Sequence, residues 1–233
     1  MSTEAGRIDA RADDRRAILP TGDAIVRYTA RQRTNHWLVA IAFVLAALSG
    51  LAMFHPGLFW LSDLFGGGPW TRLLHPFLGL AMFIAFAFLA VLLHADNRMT
   101  PGDWRWLRQW RDVVSNHEER LPEVGRYNAG QKLVFLVIVL ALPVLLVTGL
   151  IIWRQYFASY FPIPLIRLAV LVHAACAFAL ITTIIVHVYA GIWIKGSVRA
   201  MTRGTVTAGW AWKHHRAWFR EVTHAARSRP EPD

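Results

Sequence analysis

Four stretches of this 233-residue chain, 37–54, 73–95, 133–153 and 168–194, each run for at least 18 residues without a formal charge. A helix of about 20 mainly apolar residues spans the ~30 Å hydrocarbon core of a bilayer. In lipid the backbone must satisfy its own hydrogen bonds, which a helix does within one segment. The pattern therefore predicts an all-α membrane protein, a bundle of four transmembrane helices. The composition, 55% hydrophobic, fits because its apolar residues are gathered into these blocks.

The distribution of charge orients the bundle. The net charge is +10. Arg7, Arg11, Arg15, Arg16, Arg27, Arg31 and Arg33 precede the first block, and Lys195, Arg199, Arg203, Lys213, Arg216, Arg220, Arg227 and Arg229 follow the last. The connection between blocks one and two carries only Asp63 and Arg72, and that between three and four only Arg154 and Arg167. By the positive-inside rule both termini are cytoplasmic and these two connections face outward. The middle connection, 96–132, then faces the cytoplasm. The basic ends read as a topology signal with contact to anionic lipid headgroups, and not as a nucleic-acid surface. The first 35 residues contain no apolar run of signal-peptide type.

Residues 1–26 are expected to form a disordered basic tail, 27–221 the membrane domain and 222–233 a second tail. A short interfacial helix is expected around 58–65. The run WRWLRQW, Trp104 to Trp110, reads as an interfacial helix with aromatic anchors, or alternatively as a partner-docking helix. Pro143 and Gly149 permit a kink in the third span. Residues 156–164 read as an outer turn and 210–219 as a cytoplasmic surface helix. Cys176, inside the fourth span, reads as a packing residue.

An intramembrane histidine is costly without a partner and is a functional candidate by default. His173 and His187 lie 14 residues apart on span four. At 100° per residue both project from one helix face, roughly 21 Å apart along the axis, one near each membrane surface. His36 enters span one from the cytoplasm, level with His187. His75 enters span two from outside, level with His173. Depth thus predicts two cross-helix pairs, His36 with His187 and His75 with His173. His55 and His94 compete for the same depths, but each is about 100° out of phase with its rival on a straight helix. Small residues, Ala40, Gly79, Ala177 and Gly191, follow the four paired histidines at i+4 and clear that face for a flat ring system; Phe59 and Arg98 follow His55 and His94. His55 and His94 are expected at the interface. His117, His214, His215 and His224 lie in polar segments and are expected to be solvated.

Two histidines per site without a carboxylate or cysteine fit structural zinc poorly, since zinc takes four protein ligands. They fit haem with two axial imidazoles, a centre with no open position that carries electrons. The alternative is that the histidines hydrogen-bond across the bundle or relay protons. At the cytoplasmic entry to span three, VGRYNAGQK places Asn128, Gly130, Gln131 and Lys132 level with His36 and His187. The amides and the glycine suit a quinone headgroup, and Lys132 a proton or a positive charge. Asn128 equally suits a helix N-cap, and both roles can hold at once.

The segments RTNHWLVAIAFVLAALSG, RLLHPFLGLAMF, VGRYNAGQK, VTGLIIWRQYFASYFP, HAACAFALITTIIVHVYAGIWIKGS and WAWKHH together resemble the cytochrome b (gamma) subunit of respiratory formate dehydrogenase, over about residues 27–221. More distant likeness extends to the cytochrome b subunits of membrane-bound nickel-iron hydrogenases. The resemblance implies two haem b groups, the outer on His75 and His173 and the inner on His36 and His187. It implies a quinone site at Asn128, Gly130, Gln131 and His187. It also implies an iron-sulfur (beta) subunit docked on the outer face, a molybdenum- or tungsten-dependent catalytic (alpha) subunit beyond it, and a trimer of heterotrimers in the bacterial inner membrane. Formate itself would be oxidised on the alpha subunit. The rival within this class is the hydrogenase subunit; outside it, a non-haem membrane anchor.

Overall fold

The computed structural model describes residues 20–21, 24–115 and 117–227. In chain order its elements are β1 (Pro20–Thr21), β2 (Ala24–Val26), α1 (Ala30–Phe54), a 3-10 helix (Pro56–Phe65), α2 (Gly68–Leu93), α3 (Pro101–Arg108), α4 (Trp110–Val114), a 3-10 turn (Glu118–Arg120), α5 (Ala129–Ile152), a second 3-10 turn (Ala158–Tyr160), α6 (Ile163–Trp193), α7 (Ser197–Arg203), β3 (Thr205–Thr207), α8 (Ala208–His214) and α9 (Arg216–Arg227). The four expected spans are α1, α2, α5 and α6, with 25, 26, 24 and 31 residues, each long and apolar enough to cross a membrane. All four begin several residues before their uncharged blocks, since charge at an interface does not end a helix.

Two compact units divide the chain: residues 34–93 with 134–188, and the residues up to Arg33, His94–Leu133 and those from Tyr189 onward. The first unit contains most of the four long helices. Its core is Ala42, Met82, Phe86, Ala141, Leu142 and Leu180. Cys176 packs beside that core, its thiol donating to the Ala141 carbonyl at 3.5 Å, as expected of a packing residue. Large apolar side chains such as Ile84, Leu140 and Phe178 point outward, the arrangement a lipid solvent favours. Pro76 and Pro143 sit inside α2 and α5 without interrupting them.

Side-chain caps set the helix starts. At α1 the Thr29 hydroxyl accepts from the Gln32 amide and the Gln32 side chain accepts from the Thr29 amide, at 3.2 and 3.0 Å. The same reciprocal box forms between Thr100 and Asp103 at α3, with Pro101 in the first turn. Each box satisfies two otherwise orphaned backbone donors.

The second unit departs most from expectation. Residues 20–21 and 24–26, expected within the disordered tail, form β1 and β2. They pair antiparallel with each other and β2 pairs with β3, so Ile25 faces Val206 in the order β1-β2-β3. Residues 1–19 of that tail, and 228–233 of the other, lie outside the described residues. Gly204 ends α7 at φ +83°, where a Cβ would meet the Tyr28 carbonyl at 2.7 Å. The Gly204 carbonyl in turn accepts from the Arg27 and Tyr28 amides at 2.8 and 3.1 Å. Residues 210–219, expected as one helix, are two, α8 and α9, meeting at His215. WRWLRQW is likewise divided between α3 and α4 at Gln109.

Arg27 and His215 account for the break. Arg27, counted from sequence among the topology charges, is 1% exposed, and His215, expected to be solvated, is 2% exposed. The Arg27 guanidinium lies 4.9 Å from the ring centres of both Trp210 and Trp218. It donates to the Arg126 carbonyl at 2.7 Å, and Arg126 donates back to the Arg27 carbonyl at 2.7 Å. Arg126 also holds Asp96 at 2.8 Å. The His215 Nδ1 lies 2.8 Å from the Gly125 carbonyl and its Nε2 lies 3.1 Å from the Arg27 guanidinium. A guanidinium can only donate. Nε2 is therefore the acceptor, Nδ1 carries the proton, and the ring is neutral.

Candidate functional site

Each expected histidine pair forms inside the membrane-helix unit. His75 on α2 and His173 on α6 have ring centres 6.3 Å apart at 71°. His36 on α1 and His187 on α6 have centres 6.4 Å apart at 50°. Three of the rings are half-buried and His187 is exposed. A metal–nitrogen bond of ~2 Å plus ~1.2 Å from ring nitrogen to ring centre would put two imidazoles facing each other across one ion about 6.4 Å apart, centre to centre. Both pairs have this separation. Among the described residues no three His, Cys, Asp or Glu side chains gather in one place. The donor set is therefore two imidazoles per site and does not suit structural zinc.

The His75–His173 pair opens on a largely apolar cavity of about 330 Å3. Gly79, one turn after His75, lines it, and no atom lies within 4 Å of where its Cβ would stand. Nor does any atom lie within 4 Å of where a Cβ on Gly191 would stand. Of the four small residues read from sequence as clearing a face for a flat ring, Gly79 and Ala177 line the cavity beside His75 and His173. Arg72 and Arg154 line the same cavity as His75 and His173. They offer two guanidinium groups to carboxylates on whatever fills it.

Sequence reasoning missed the residues that hold the rings of His75 and His173. The Ser49 hydroxyl on α1 lies 2.9 Å from the His75 Nδ1, and the Thr148 hydroxyl on α5 lies 2.9 Å from the His173 Nδ1. The residue after each is glycine. A Cβ on Gly50 would stand 3.1 Å from the His75 ring, and one on Gly149 3.4 Å from the His173 ring. The available signal was a hydroxyl–glycine dipeptide recurring in two spans, LSGL and VTGL.

The competing histidines stay outside these pairs. His55 caps the 3-10 helix after α1, its Nδ1 accepting from the Gly57 amide at 3.0 Å. His94 is exposed in the turn after α2. His117 and His224 are exposed, as expected.

Asn128, Gly130 and Gln131 come together at the start of α5. Asn128 Oδ1 accepts from the Gln131 amide at 2.9 Å, and Gln131 Oε1 accepts from the Asn128 amide at 3.0 Å. The capping role expected of Asn128 is thus real and engages both side-chain carbonyls, so the two NH2 groups take no part in the cap. Trp106 packs against Gly130, its ring 3.5 Å from where a Cβ would stand. The Lys132 ammonium, expected as a source of charge or protons, is buried against Asp103 at 2.8 Å and the Arg98 carbonyl at 3.0 Å. Burial alone would raise the Asp103 pKa, but hydrogen bonds from Lys132 and Thr100 outweigh it and hold the carboxyl below its ordinary value.

A four-helix membrane bundle with two imidazole pairs, each at the separation for sharing one metal ion, defines a membrane electron carrier of the cytochrome b class. The family model for prokaryotic cytochrome b561 matches residues 27–204. The chain is 45% identical over 209 residues to the formate dehydrogenase cytochrome b556(fdo) subunit of Escherichia coli K12, covering 90% of this chain and 98% of that one. It is 45% identical over 201 residues to the nitrate-inducible formate dehydrogenase cytochrome b556(Fdn) subunit of the same organism, covering 86% and 93%. With the formate dehydrogenase cytochrome b556 subunit of Haemophilus influenzae it shares 43% identity over 197 residues, 84% and 83% of the two chains. The chain belongs to the prokaryotic cytochrome b561 family, among the formate dehydrogenase cytochrome b556 subunits.

Proposed function

We propose that this chain is the dihaem membrane subunit of a respiratory formate dehydrogenase, carrying electrons across the membrane to reduce a quinone. The observation that carries the reading is the pair of ring separations, 6.3 and 6.4 Å, at two sites in one bundle. His75 and His173 would hold the outer haem b, and His36 and His187 the inner. Haem with two imidazole ligands has no open coordination position and supplies one-electron transfer.

The chain's own residues account for the rest. Gly79 and Gly191 leave room beside a ligand for a macrocycle. Arg72 and Arg154 suit the carboxylates of the outer group. Mainly apolar side chains line the space the outer group would fill. At the quinone site expected from the resemblance, the Asn128 and Gln131 NH2 groups would donate to a quinone carbonyl. Quinone takes up two electrons and two protons to become quinol. With both termini cytoplasmic, as the charge distribution supports, those protons come from the cytoplasm and the reaction adds to the proton-motive force.

The chain is not the site of formate oxidation. Its partners are an iron-sulfur subunit on the outer face and a molybdenum- or tungsten-dependent catalytic subunit, in a trimer of such heterotrimers in the bacterial inner membrane. The test is haem stoichiometry with quinone reduction. The unmodified complex should hold two haem b per chain, and His187→Ala one, with formate-driven quinone reduction lost. Two haems in the His187→Ala complex would sink the assignment.

A further inference from the structure

The two histidine pairs are alike in spacing but not in support. Ser49 is fully buried and Thr148 is 8% exposed. The Ser49 hydroxyl lies 2.8 Å from the Leu45 carbonyl and the Thr148 hydroxyl 2.6 Å from the Val144 carbonyl, each one turn back on its own helix. A hydroxyl has one proton and a carbonyl can only accept. With that proton committed to the carbonyl, each hydroxyl oxygen accepts from the histidine Nδ1–H. Both outer rings are therefore Nδ1–H tautomers whose Nε2 lone pairs are free. At the inner pair the His36 Nδ1 is buried without a hydrogen-bond partner. Among the described residues no hydroxyl bonds His36 or His187.

We propose that Ser49 and Thr148 are positioning residues that fix the tautomer of the outer ligands and hold the outer centre at a lower reduction potential than the inner one. The proposal rests on the haem reading above. A hydrogen bond accepted from Nδ1–H makes the imidazole a stronger donor to its metal. The chain His Nδ1–H to hydroxyl to carbonyl strengthens that bond further. A stronger donor favours ferric over ferrous iron, and hydrogen bonding to the axial ligand is one of the protein's levers on haem potential. Gly50 completes the device at His75, since a methyl group there would stand 3.1 Å from the ring being held, and Gly149 stands in the same place beside His173, where a methyl would just touch the ring at 3.4 Å. The same hydroxyl–glycine pair thus serves one ring from α1 and the other from α5.

The experiment is a redox titration of the intact complex by visible absorbance, with His173→Ala used to assign the outer haem. Ser49→Ala and Thr148→Val together should raise the outer midpoint by about 59 mV, a tenfold change in its reduction equilibrium. The inner midpoint should stay in place, and Thr148→Ser should retain the unmodified outer value. An unmoved outer midpoint in the double variant, or equal shifts at both haems, would overturn the proposal. If a variant loses the outer haem, Thr148→Ser decides: a full complement at the unmodified midpoint upholds it, and a shifted midpoint refutes it. An unmodified complex lacking two b-type midpoints refutes instead the haem reading beneath.

Discussion

The two units of this molecule treat charge and apolar surface in opposite ways. The membrane-helix unit turns Ile84, Leu140 and Phe178 outward and buries between its helices a few polar groups, Ser49 and Thr148, bonded to His75 and His173. The second unit buries charge: Arg27 between two tryptophans, Asp103 against Lys132. The first needs no apolar core in the aqueous sense, because lipid is as apolar as leucine and association rests on packing and hydrogen bonds. The second is a small assembly of short elements, and its buried ions hold those elements together because each has partners from distant parts of the chain. Charge burial is tolerable only with such partners.

Three changes sharpen that contrast, the largest first. Asp103→Ala leaves the Lys132 ammonium buried beside only the Arg98 carbonyl, and breaking a buried pair in this way costs about 3–5 kcal/mol. Limited proteolysis should then cut the 94–133 segment sooner while the haem absorbance is retained; simultaneous loss of both would show that the units are not separable. Arg27→Met keeps the length but removes the charged hydrogen bonds and the ring contacts, and should cost about 2–3 kcal/mol of stability in the second unit. Thermal melting followed by tryptophan fluorescence measures it, and an unchanged melt would mean the buried guanidinium contributes nothing.

The smallest effect is one of pH. Burial first, and then the Arg27 cation, push the His215 pKa well below the usual 6.5, against an opposing hydrogen bond to Gly125. The unfolded chain thus binds this proton more readily than the folded one. The contribution is fully present above 6.5 and declines as pH falls from there toward the depressed folded value. Asp103, held low in the fold, loses its contribution only in more acid solution, below the carboxylate value of 3.8. Melting between pH 7 and 5 should therefore soften in the unmodified protein and soften less in His215→Gln. Parallel curves would remove His215 from the account.

The spans and the pairing of histidines were legible because both depend on local regularities. A run of uncharged residues reports length, and helical periodicity with alternating topology reports depth. His36, His75, His173 and His187 could be paired without coordinates because the membrane fixes two levels and each level has few histidines that share a face. The capping role of Asn128 was also legible, since a cap is a three-residue pattern. The second unit was not. β1, β2 and β3 are two or three residues long and join positions near 25 to positions near 206, and so short a strand has no period to read. His215 sits in a polar run, WKHHR, that looks solvated, and only Arg27 and Gly125, brought in from far along the chain, bury it.

By itself, then, the sequence determined a four-helix membrane bundle and which histidines can meet, because hydropathy, charge and helical phase are properties of neighbouring residues. Tertiary structure alone decided that Arg27 and His215 belong to a core, and that Ser49 and Thr148 grip the rings of His75 and His173. Each of these is a hydrogen bond with a defined direction, and direction exists only once the helices and loops have been set against one another.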